Sequence, residues 1–82
     1  MPNAGETSNR LQLNNLVQHL RLSYTREYTT SGLKHEEKHI CKIFIKGKQY
    51  GHAMEGRTKE SAFEAAAGTA LTDLKAEYPS SS

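Results

Sequence analysis

The sequence predicts an α+β domain, a two-layer α-β-β-β-α sandwich whose three-stranded antiparallel sheet carries both helices packed on one face. Three observations predict it. Phe63, Ala66, Ala67, Ala70, Leu71 and Leu74 recur at i, i+3, i+4, i+7, i+8 and i+11, the apolar stripe of a helix lying on a sheet. Leu13, Leu16, Val17 and Leu20 repeat that spacing near the other end. Between them stand three segments of strand chemistry, and their hairpin-length connections make the pairing antiparallel.

Taken in order, residues 1–8 are polar and are expected to form a disordered tail, 9–76 to form the domain, and 77–82 to form a second tail. The first helix is expected over about Asn9 to Leu22, with Ser8 as N-cap and Gln12, Asn15 and His19 in a polar stripe. Tyr24 to Thr30 is rich in Tyr and Thr and free of Gly and Pro, and Ser31-Gly32 breaks it. A charged loop, Leu33 to Lys38, follows. His39 to Ile45 alternates, with His39, Cys41, Ile43 and Ile45 on one face and Ile40, Lys42 and Phe44 on the other. Gly47 allows a tight turn, and Gln49 to about Met54 returns as the third strand. Thr58 can cap the second helix, and Pro79 lies just past its end.

An 82-residue chain makes one small domain. With 35% hydrophobic residues and no Trp, a cofactor-sized cavity would leave too little material for the core. No enzyme, cofactor or small-molecule substrate is therefore expected. The 11 basic residues nearly cancel against 9 acidic ones, so the distribution of charge must decide whether the partner is a polyanion. Cys41, the single cysteine, excludes an intramolecular disulfide and fits a reducing compartment. No apolar run reaches the length of a signal peptide or membrane span, so a soluble, intracellular chain without a membrane partner is expected.

Catalytic and metal chemistry find little support. His35, His39 and Cys41 lack a fourth ligand for a structural zinc site. A strand cysteine pointing into a core, with no orienting acid beside it, is no nucleophile. His39 reads most simply as a half-buried structural histidine, Phe63 as packing, and Lys42, Lys46 and Lys48 as solubilising charges. Ile40 and Phe44 face the open side of the sheet, where an apolar pair can mark a contact with another protein or a second copy.

Three motifs stand at telling spacings: Ser31-Gly32-Leu33-Lys34-His35, Lys46-Gly47-Lys48-Gln49-Tyr50-Gly51, and Gly56-Arg57-Thr58-Lys59-Glu60-Ser61-Ala62 running into Ala65-Ala66-Ala67. Together they resemble the double-stranded RNA-binding domain, from about Leu11 to Leu74, and the order of elements is similar too. The resemblance implies contact with A-form RNA at three places along one side of the duplex, reading shape and 2′-hydroxyls rather than sequence. The first helix would meet one minor groove through Gln12 and Asn15. The first hairpin loop, with Lys34 and His35, would meet the next. Arg57, Thr58 and Lys59, at a helix N-terminus that itself attracts phosphate, would span the major groove between them.

The chain departs from the family pattern in ways that lower the implied affinity. Leu33 replaces the proline of the family's Gly-Pro-x-His loop, and Asn15 stands where the family often carries Glu. In the Lys-Lys-x-Ala-Lys motif, Lys59 and Ala62 match, but Glu60 and Phe63 occupy the positions of the other lysines. Losing two cations and gaining an anion near phosphate costs roughly 2 to 3 kcal/mol in water. That is about ten- to a hundredfold or more in affinity. Two functions follow as expectations: a non-catalytic double-stranded RNA-binding module of reduced affinity, or a protein-interaction or dimerisation module on the same fold.

Overall fold

A computed structural model describes residues 8–32 and 34–79, with the backbone alone at Lys34. The elements follow the predicted order: α1 (Asn9–His19), β1 (Tyr24–Ser31), a 3-10 turn (Lys34–Glu36), β2 (Lys38–Ile45), β3 (Lys48–Gly56) and α2 (Lys59–Glu77). The sheet is antiparallel in the order β1-β2-β3. Both helices lie on one of its faces, as the two apolar stripes require. Residues 1–7 and 80–82, most of the expected tails, lie outside the described residues; Ser8 caps α1 and Glu77 ends α2.

Helix α1 buries Leu13 and Val17, with Leu16 and Leu20 packed partly against the same core. It stops before Leu22, earlier than its periodicity suggests. Arg21 adopts φ 60°. Its N–H donates to the Gln18 carbonyl (3.0 Å) and that of Leu22 to the Val17 carbonyl (2.7 Å). This is a Schellman closure with arginine in the left-handed position that glycine usually fills.

In β2 the alternation holds: Cys41 and Ile43 are fully buried, Ile45 nearly so, and Ile40 and Phe44 lie half-buried on the outer face. Lys46 and Gly47, at φ 56° and 79°, form the two-residue turn to β3. Positive φ at both positions matches the twist of the strands it joins. Strand β3 runs through Gly56, beyond the expected Met54. A bulge sets Cys41 opposite Met54 but Ile43 opposite Tyr50. Near it, Gly51 N–H donates to the Asp73 carboxylate (2.7 Å) and His52 N–H to the Thr69 hydroxyl (2.9 Å). The irregular stretch of strand is thereby tied to α2.

Helix α2 lies mainly across β3 and then β2, burying Ala62, Ala66, Ala67 and Ala70 alongside Leu71 and Leu74. Small side chains allow close approach. At Gly56 a Cβ would meet the Ala62 nitrogen at 2.5 Å, so only glycine lets β3 pass the first turn of α2. Helix α1 docks on α2 through Glu64. Its carboxylate accepts from the N–H groups of Asn9 (2.7 Å) and Arg10 (3.3 Å) and from Arg10 Nε (3.1 Å). Ser8 Oγ accepts from Leu11 N–H (3.1 Å). The free donors at the start of α1 are thus satisfied, two of them by a distant residue.

Candidate functional site

Strand pairing brings two connections together at one end of the sheet. Ser31 pairs with Lys38 and His39 with Gly56, so the β1–β2 loop and the β3–α2 junction emerge side by side. A cleft of about 490 Å³ opens there, lined by His35, Glu36, Glu37, Lys38 and Arg57. Its charge is mixed. Lys38 is paired with Glu55 at 3.8 Å, an exposed and therefore weak ion pair. Arg57 has no ion pair among the described residues.

At the start of α2, Thr58 is committed to the helix itself. Its hydroxyl accepts from Ser61 N–H (3.0 Å), and Ser61 Oγ accepts from Thr58 N–H (3.1 Å), a capping box. The Thr58 side chain therefore fixes the helix start that carries Arg57 and Lys59. Lys59 reaches back over β1, its Nζ 5.6 Å from the centre of the Tyr28 ring.

The helix-facing side of β1 adds residues that the sequence reading passed over. Tyr24, Arg26 and Tyr28 pair with Ile45, Ile43 and Cys41, all on the inner face. Because α2 lies over β3 and β2, it leaves this strand partly open. Tyr24 stacks on Phe63 with ring centres 6.0 Å apart. The Arg26 guanidinium lies 4.7 Å from the centre of the same ring. Burial and the neighbouring Cys41 push the Tyr28 phenol up, against Arg26, which hydrogen-bonds it and pulls it down. Burial likewise raises the Cys41 thiol, leaving it a protonated core group. The available signal was alternation: an arginine spaced two residues from each of two tyrosines, on a face that should be apolar, marks an incompletely covered strand.

The α1 candidates stand elsewhere. Asn15 is exposed and Gln12 half-buried. Helix α1 meets the first residue of β1, where Asn14 Oδ1 accepts from the Tyr24 hydroxyl (2.9 Å). The cleft lies beyond the strand's last residue, seven rises or about 23 Å away. The structure thus joins His35 with Arg57, sets Lys59 beside them, and leaves Gln12 and Asn15 at the far end of the same strand. Leu33 and the Lys34 side chain lie outside the described residues. His39 is half-buried, and its Nδ1 has no hydrogen-bond partner among the described residues. No group of three or more His, Cys, Asp or Glu that could hold a metal ion occurs among the described residues. No helix among them is long and apolar enough to cross a membrane.

No protein-family model matches the chain, and no curated protein does. Solved structures do. One contains both double-stranded RNA-binding domains of DRB4 with their linker, and superposes with a TM-score of 0.68 at 21% identity, covering 84% of this chain and 46% of that one. Another is the second double-stranded RNA-binding domain of DRB4 alone, with a TM-score of 0.61 at 24% identity, covering 84% of this chain and 97% of that one. The fold is that of a double-stranded RNA-binding domain. The chain spans about half of the two-domain structure and nearly all of the single domain, one unit of this fold. Of the three surfaces that the sequence resemblance nominates on it, two adjoin at Arg57.

Proposed function

We propose that the chain is a non-catalytic double-stranded RNA-binding module, acting inside the cell, that recognises the A-form duplex by shape without sequence preference. The observation that carries this is the shared cleft of His35 and Arg57. A loop contact to one minor groove and a phosphate contact at the start of α2 can then be made from a single ridge. Gln12 and Asn15, about a strand's length away, suit a second minor groove on the same side of the duplex. Glu36 and Glu37 in the cleft, Glu60 in the first turn of α2, and burial of Phe63 in place of a lysine all support reduced affinity.

Titration with a 20-base-pair RNA duplex, longer than the ~16 pairs this fold spans, tests it against a DNA duplex of equal length. RNA should bind more tightly, with affinity falling steeply as salt rises. Arg57→Ala with Lys59→Ala should abolish residual binding and leave the fold intact. Equal or absent binding to both duplexes would remove the proposal.

Interaction with another protein, or with a second copy, is the alternative on the outer sheet face. It has less support. Ile40 and Phe44 are half-covered by their strand neighbours, and the exposed large hydrophobic among the described residues is Leu11, on α1.

A further inference from the structure

Building on the RNA-binding proposal, we infer that Arg26, on the helix-facing side of β1, is a phosphate-binding residue held ready by the Phe63 ring. Three observations converge on it. The first is its lack of a charge partner. Arg10, Lys38 and Lys48 are paired with Glu64, Glu55 and Glu77, whereas Arg26, Arg57 and Lys59 make no ion pair among the described residues. Arg21, Lys42, Lys46 and Lys75 are likewise outside any ion pair among the described residues, but they are scattered over the end of α1, the outer sheet face, the β2–β3 turn and the last turn of α2, whereas Arg26 and Lys59 stand together over the open half of β1.

The second is its mounting. The guanidinium sits 4.7 Å from the centre of the Phe63 ring, while Tyr24 stacks on the same Phe63. A planar guanidinium laid on a ring keeps its charge and several edge donors, and loses less freedom than a free side chain when an anion arrives. Lys59 on Tyr28 repeats the arrangement one step along the strand. Two cations thus interleave with three rings on a surface that α2 leaves partly open. Such a row is more than a buried structural stack, because Arg26 remains exposed.

The third is its place. Arg26 lies two residues past Tyr24, where α1 is attached, and five before Ser31, where the cleft-bearing loop begins. At about 3.3 Å per residue, it stands about 7 Å from one and 17 Å from the other. A duplex resting on α1 and on the His35 loop at once must pass over this stretch. Its backbone charge is what a guanidinium there would meet. Phosphate is the target, since a guanidinium held on a ring presents its edge donors as a charge-assisted partner to a backbone anion.

The test is a titration of the 20-base-pair RNA duplex at several salt concentrations with wild type, Arg26→Gln, Arg26→Lys and Lys42→Gln. Lys42 lies on the opposite face of β2 and removes the same charge. Arg26→Gln should weaken binding about five- to tenfold near 0.1 M salt and flatten the salt slope by about one. Arg26→Lys should keep the slope, and Lys42→Gln should match wild type. If wild type binds and Arg26→Gln binds as well as wild type or Lys42→Gln, the inference is overturned while RNA binding stands. An Arg26→Lys slope as flat as that of Arg26→Gln would overturn the charge assignment as well. If wild type binds no duplex, both fall together. Thermal melting of each variant separates a lost contact from a lost fold; should Arg26→Gln melt below the assay temperature, Arg26→Met, which keeps an unbranched apolar side chain against the Phe63 ring, takes its place with the same expected loss and the same overturning result.

Discussion

Glu64 shows how one residue couples the two helices. Burial pushes its carboxyl up, but the hydrogen bonds from the Asn9 and Arg10 backbone and from the Arg10 side chain outweigh burial and hold it below its ordinary value. A carboxyl with a lower pKa folded than unfolded stabilises fully above the unfolded value, about 4.3, and the contribution disappears as pH falls through the folded value. Glu64→Gln should therefore lower stability at pH 7 by about 1 kcal/mol, a modest figure because the side chain is about a third exposed. The variant should also lose less on acidification. Urea unfolding at neutral pH and near pH 3 checks both; parallel pH profiles for variant and wild type would show that the carboxylate does not hold α1.

At the scale of elements, the end of α1 and the start of α2 are closed by different chemistry. Thr58 and Ser61 close α2 with residues whose side chains suit the task, so the helix begins where its sequence says. Arg21 closes α1 against its own preference, because Leu20 and Leu22 must both turn toward the core. A left-handed non-glycine residue costs on the order of 1 kcal/mol. Arg21→Gly should thus raise the melting temperature by about 4 to 8 °C. A lower melting temperature would mean that the arginine side chain makes contacts worth more than its backbone strain.

At the scale of the whole molecule, the two faces of the sheet are independent surfaces. The helix side carries the β1 row and α1, the outer side carries Ile40, Lys42 and Phe44, and the His35–Arg57 cleft opens at the end of the sheet, far from Phe44, which pairs with Thr25 near the opposite end. Phe44→Glu should accordingly leave duplex RNA affinity unchanged in the titration that responds to Arg57 and Arg26. A large loss with the fold intact would put the outer face into the RNA interface and undo the assignment of sides.

The amino-acid sequence determined the order of elements, the inward alternation of β2, the cap at Thr58 and the turn at Gly47. Each of these is written within about a dozen neighbouring residues, as a period of 2 or 3.6 or as a backbone angle that one residue type favours. It also nominated His35, Arg57 and Lys59. Only the tertiary structure decided that His35 and Arg57 share a cleft, that Phe63 supports Arg26, and that Glu64 closes a helix beginning 55 residues earlier. The reason is physical: periodicity records which face of an element avoids water, whereas meetings between elements depend on how far each covers the next. Here α2 covers β3 and β2 and leaves β1 partly open, and that strip holds Arg26 and Lys59.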